Sequence, residues 1–141
     1  MKIETFAREY RLRLARIGSG EDAEIVVPGR VGSSNIYEHS DDEFGVMFIT
    51  DGKKPPRTGL FNTFKAACLA AGMTLRQSGD AEGVFTLAPE NAAQAKVAIR
   101  GIRAKAKRRI SPELAAAGAA RLAAARNSRF LAQNPQQEHA V

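Results

Sequence analysis

The stretch IYEHSDDEFGVMFI, residues 36–49, decides the fold. Its two ends, Ile36–His39 and Phe44–Ile49, are rich in β-branched and aromatic residues, and the polar run Ser40-Asp41-Asp42-Glu43 separates them. Strand, polar turn, strand is the pattern of a hairpin. Upstream, Ile25-Val26-Val27 is a short β-branched run stopped by Pro28-Gly29, and Gly18–Asp22 is a turn. Residues 3–17 carry two periods at once. Ile3, Phe6, Tyr10, Leu14 and Ile17 recur at helical spacing, while Tyr10, Leu12 and Leu14 alternate with Arg11 and Arg13. The expectation is a helical start that runs into a strand.

Downstream of the exposed loop Asp51–Arg57 the period changes. Phe61, Phe64, Cys68 and Leu69 fall on one helical face, and Gly72 stands where a helix C-cap belongs, which predicts a helix over 60–71. Met73, Leu75 and Gln77 then alternate with polar residues, Ser78–Ala81 interrupts, and Val84–Leu87 resumes, a second hairpin. Pro89 suits a first helical position, and Ala92, Ala95, Ile99 and Ile102 follow at spacings of three and four. The fold class expected is α+β: an antiparallel sheet of two hairpins with helices packed on one face, in ββαββα order from residue 35. Ser111-Pro112-Glu113 restarts a helix, predicted over 112–127. Residues 1–110 are thus expected as a single α+β domain, and 111–141 as an alanine- and arginine-rich helical extension ending in a frayed tail.

A chain of 141 residues, 44% hydrophobic, suffices for one ordinary core. Aromatics are only 6% and tryptophan is absent, so that core must come from Leu, Ile, Val and Phe. The single cysteine, Cys68, has no partner for an internal disulfide and lies in an apolar run, which fits a reducing compartment. No apolar run of about 18 residues is present, and Met1 leads into a charged segment instead of a signal-peptide core. A cytoplasmic protein with no membrane partner is expected.

Charge is distributed unevenly. Residues 1–90 carry 11 basic and 13 acidic side chains, whereas residues 91–141 carry 10 basic and 2 acidic ones. Lys96, Arg100, Arg103 and Lys107 recur at spacings of four, three and four, which would align them on one helix face able to meet phosphates. Lys105, Arg108 and Arg109 thicken that patch, and Arg121, Arg126 and Arg129 extend it if the last helix lies alongside. Residues 91–110 hold seven basic groups and no acidic one, so nothing local neutralises them. An ordinary solvated helix face has the same composition, and no zinc-finger, RNP or helix-turn-helix pattern accompanies it.

Other constellations give less. Glu38, His39, Asp41, Asp42 and Glu43 could be imagined around a metal, but acidic turn residues are common and solvated, and no EF-hand pattern or second nearby histidine is present. No metal and no cofactor are expected. Gly18-Ser19-Gly20 lacks the lysine ending of a phosphate loop, and Glu21-Asp22 would repel phosphate. Pro28-Gly29-Arg30 with Gly32 is either a turn joining two strands or a bent backbone from which Arg30 projects toward a ligand.

Arg11–Leu14, Val27–Arg30, Ile36–His39, Gly45–Met47, Ala71–Leu75, Gly79–Gly83 and Ile110–Glu113 together resemble small proteins of bacterial and phage or prophage genomes, over residues 10–115. That family brings no assigned activity, so no functional residues carry over. Ala88 departs from its pattern, where an aspartate before Pro89 would cap a helix. The expected function is a non-catalytic nucleic-acid-binding accessory protein, with DNA or RNA as partner through backbone phosphates. The alternative is a protein-interaction module, a phage-borne modulator of a host complex that uses the acidic hairpin or a sheet edge. No enzyme class is indicated, since no triad, metal set or phosphate loop is recognisable.

Overall fold

Alternation along Phe44–Ile49 sets the inside of the molecule. In the computed structural model, which describes residues 1–51, 57–107 and 112–133 and the side chains of the last helix at 116–126, the elements run α1 (Ile3–Tyr10), β1 (Ala15–Ile17), β2 (Glu24–Pro28), β3 (Asn35–Glu38), β4 (Phe44–Ile49), α2 (Thr58–Ala70), β5 (Thr74–Ser78), β6 (Glu82–Leu87), α3 (Ala92–Gly101) and α4 (Pro112–Gln133). The protein is α+β. Six strands, not the four of two hairpins, form one antiparallel sheet in the order β1-β2-β3-β4-β6-β5. The two additional strands are β2, grown from the run at Ile25, and the short β1 that pairs with it.

Register places Val27, Ile36, Val46, Phe85 and Leu75 in one row across β2, β3, β4, β6 and β5, and the first four are fully buried. Three helices seal that face, two of them with aromatic contacts. Phe6 of α1 meets Phe44 edge-on at 5.2 Å, and Phe64 of α2 stacks on Phe48 at 4.7 Å. Ala95, Ala98 and the fully buried Ile102, at and just beyond α3, complete the cluster. Gly101 lets α3 approach Phe64, because a Cβ there would lie 2.1 Å from its ring. The backbone divides into Met1–Lys107 and Arg108–Val141. Within the second unit α4 shows mainly exposed side chains over 116–126, Leu122 included.

Pro89 does not begin α3. Pro89 and Glu90 form a turn closed by Asn91 N–H donating to Ala88 O at 3.0 Å, and the helix starts at Ala92. Asn91 Oδ1 accepts from Gln94 N–H at 3.2 Å, a side-chain cap that proline cannot supply. Gln94, buried, accepts from Ala88 N–H at 2.8 Å and donates to Ala71 O at 3.1 Å, tying this start to the end of α2.

The first three helices stop in the same way, with a left-handed residue one or two positions past the end and two backbone bonds reaching back into the last turn. The left-handed residue is Gly72 after α2, at φ 84°, but it is Arg11 after α1 and Arg103 after α3, at φ 54° and 51°. At α3, Arg103 N–H donates to Arg100 O at 3.2 Å and Ala104 N–H to Ile99 O at 2.9 Å. The helix expected to carry the basic stripe past residue 103 therefore ends at Gly101.

The loop between β2 and β3 folds onto that helix end. A Cβ on Gly29 would lie 2.4 Å from Ile102 O and 2.8 Å from Ile102 Cβ, and one on Gly32, at φ 46°, would lie 2.2 Å from Ile49 O. Gly29→Ala is expected to lower the unfolding free energy by about 1–3 kcal/mol through this overlap with rigid backbone. Gly59→Ala, where a Cβ meets nothing within 4 Å in the first turn of α2, is expected to raise it by about 0.5–1 kcal/mol. Urea denaturation of both variants checks the pair of opposite signs.

Candidate nucleic-acid interface

Once α3 has turned at Arg103, the chain continues extended and becomes the middle of three bonded segments. On one side Gly29 stands opposite Ala104, and on the other Leu12 stands opposite Ala106, both antiparallel. Lys105 is the hinge of the arrangement: its N–H donates to Pro28 O at 2.9 Å and its O accepts from Arg13 N–H at 2.8 Å. Lys107 N–H donates to Arg11 O at 2.8 Å. Arg30 N–H reaches both Ile102 O at 2.9 Å and Arg103 O at 3.0 Å. Leu12, 7% exposed, anchors this layer to the core.

The layer is almost all cation where it faces water. Residues 11–13, 28–30 and 103–107 contain Arg11, Arg13, Arg30, Arg103, Lys105 and Lys107 and no acidic residue. Lys105 is half-buried and the other five are exposed. Register sets Arg13 against Lys105 and Arg11 against Lys107, and like charges placed opposite each other repel. Among the described residues the ion pairs are Arg76 with Glu43 at 3.5 Å and the Met1 amino group with Glu90 at 3.7 Å, and neither involves a cation of the layer.

Beside the layer, Arg30 and Arg103 share a cavity of about 60 Å³ with Arg57, the residue that precedes α2. Val31, Gly32, Thr50 and Leu60 supply the rest of its lining.

The residues singled out in the sequence are distributed as follows. Lys96 and Arg100 lie exposed on α3, one turn apart. Arg103, Lys105 and Lys107 leave the helix and join the layer, so the single helical stripe is replaced by a short helix face and an extended segment. Arg121 is exposed on α4, in the second unit. Arg108 and Arg109 lie outside the described residues. Arg11, Arg13, Arg30 and Arg57 come from the part of the chain with the acidic surplus, and charge counting by segment passes over them. Their signal is the pairing of two matching patterns, Arg-Leu-Arg at 11–13 and Lys-Ala-Lys at 105–107.

The acidic hairpin is occupied with structural work: Glu38 accepts from Ile3 N–H at 2.7 Å, and Glu43 pairs with Arg76. Among the described residues no three His, Cys, Asp or Glu side chains gather around a common point. Cys68 is fully buried, and burial pushes its thiol up to about 12, so it is protonated at neutral pH. Among the described residues no helix is long and apolar enough to cross a membrane. Compared with known family models, curated proteins and solved structures, the chain matches none.

Arg103→Gly is expected to raise the unfolding free energy by about 0.5–1 kcal/mol, because glycine enters the left-handed region without the Cβ clash. A urea midpoint below that of the parent would contradict the helix-end geometry. Cys68 is expected to react with a thiol reagent only at the rate of global unfolding. Because its folded value lies above the ordinary 9.0, the thiol favours the fold below that pH, and this contribution fades as pH climbs toward 12. Rapid labelling of the native protein would overturn that burial.

Proposed function

We propose that the chain is a non-catalytic nucleic-acid-binding accessory protein that holds backbone phosphates on the layer made by residues 11–13, 28–30 and 103–107. The observation that carries this reading is the gathering of six cations, from three distant parts of the sequence, into hydrogen-bonded segments free of carboxylates. A surface built this way repels itself in water. A polyanion relieves that repulsion and releases its own condensed counterions on binding. Lys96 and Arg100 on α3 add to the cationic surface of the first unit. The basic helical extension beyond residue 111 contributes Arg121 as a second, independent point of contact.

Recognition on this reading is of phosphate and not of base sequence. The layer is short and extended, with lysine and arginine as its polar groups, which bind phosphate oxygens without reporting base identity. Affinity then falls steeply with salt and varies little among sequences of equal length.

The test is a titration of the protein with duplex DNA and with single-stranded RNA at several ionic strengths, beside Arg13→Gln/Lys105→Gln and Lys96→Gln/Arg100→Gln. The layer variant is expected to weaken binding on both polymers and to reduce the slope of log affinity against log salt by about 1–2. The α3 variant is expected to have the smaller effect. Unchanged affinity and slope in the layer variant would remove the proposed surface.

A further inference from the structure

We infer that Arg30, Arg57 and Arg103, together with the amino end of α2, form a site for one phosphate dianion, the group carried by inorganic phosphate and by the terminal phosphomonoester of a nucleic acid.

Three arginines reach this cavity from unrelated places: the β2–β3 loop, the approach to α2 and the exit from α3. Nothing in local chain geometry requires like charges to meet there. A guanidinium presents its N–H donors in a planar fork that matches the oxygens of a phosphate. Among the described residues that line the cavity none is acidic. Asp51, next along the chain from the lining residue Thr50, accepts from the Ser33 hydroxyl through Oδ1 at 2.7 Å, and its Oδ2 lies 3.0 Å from where a Cβ on the lining residue Gly32 would stand, so one carboxylate borders three guanidinium groups and leaves the local charge positive.

The helix end adds to the same effect. Arg57 occupies the N-cap position of the 13-residue helix α2, makes no side-chain cap hydrogen bond, and is followed by no acidic residue in the first turn. The positive end of the helix and a guanidinium therefore coincide, where an Asp, Ser or Glu would ordinarily complement the dipole. Leu60, in the first turn of α2, lines the cavity, so an anion held there lies by the positive end of the helix dipole as well as by the arginines.

Size and charge then select the ligand. A water-sized group needs about 10–15 Å³, so the space of about 60 Å³ takes about four to six of them. That suits the four oxygens of a phosphate and excludes a nucleoside. A phosphodiester in mid-chain brings one negative charge, whereas a monoester brings close to two at neutral pH and so matches three guanidinium groups better.

The site is also held in advance. The Arg30 N–H bonds to Ile102 O and Arg103 O fix those two residues side by side, and the close approaches at Gly29 and Gly32 leave the loop little freedom. Arg103 keeps a left-handed backbone that glycine would adopt more readily, which fits a position where the guanidinium itself is needed.

Recognition of a polymer end rests on the nucleic-acid reading above, whereas the anion site itself does not. The experiment titrates the full chain with inorganic phosphate by calorimetry, beside R57Q and R103G. It then compares a single-stranded oligonucleotide bearing a 5′-phosphate with the same strand bearing a 5′-hydroxyl. Saturable millimolar or tighter phosphate binding is expected, weakened about tenfold or more in each variant. R103G is the decisive one, since its fold is expected to be at least as stable, and lost binding cannot then be lost structure. The 5′-phosphate strand is expected to bind about tenfold more tightly than its partner, with that preference gone in R57Q. No saturable phosphate binding, or equal binding by all three proteins, overturns the site. Phosphate binding without end preference overturns recognition of a polymer terminus and assigns the cleft to free phosphate. Phosphate binding with neither strand bound upholds the cleft and refutes the nucleic-acid reading.

Discussion

Ile102 carbonyl oxygen is the point through which the structure is tied together. It accepts from Arg30 N–H and Val31 N–H, it lies under Gly29 at a distance only glycine permits, and it belongs to a residue with no solvent exposure. Because α3 turns left-handed at the next residue, the chain leaves that point extended and not helical, free to bond Pro28 on one side and Arg13 on the other. Had the helix run on, Lys105 and Lys107 would have been carried away from residues 11–13 and 28–30, and the cations of three segments would not have met.

The core explains why this arrangement holds against its own charge. Phe6 and Phe44 form a ring contact between α1 and the sheet, and Phe48, Phe61, Phe64 and Phe85 form a second ring cluster between the sheet and α2. Leu12 and Ile102 attach the charged segments to that mass from two sides. Burying large apolar side chains contributes about 1.5–3 kcal/mol each, whereas repulsion between exposed like charges costs fractions of that. The fold therefore tolerates a cluster of like charges whose mutual repulsion opposes its stability. A feature that costs stability and is held rigidly by hydrogen bonds is a reasonable place to look for function.

Much of the fold was legible because strand and helix periods in this chain are clean. Phe44–Ile49 alternates, Phe61, Phe64 and Cys68 keep helical spacing, and Gly72 ends α2 in the left-handed turn that glycine serves best. What escaped was set by tertiary bonding. Arg103 at a helix end carries no glycine to announce the turn, so the basic periodicity read straight through it. Asn91, three residues before Gln94, is a capping signal that Pro89 obscured. The candidate site was half legible: Lys105 and Lys107 were visible as charge, but their neighbours Arg11 and Arg13 lie more than ninety residues away and are disclosed only by backbone pairing. Arg30 was visible as one of two meanings of a glycine-flanked loop, and the bonds to Ile102 and Arg103 make that loop both a strand connection and the wall of a cavity.

The most direct measurement is a backbone amide NMR titration of the full chain with a short phosphodiester oligonucleotide at low salt. Shift changes concentrated in residues 11–13, 29–31 and 103–107, and reversed by added salt, are the expected result. Changes confined to α4 or to the acidic hairpin at 38–43, with those three segments silent, would contradict it.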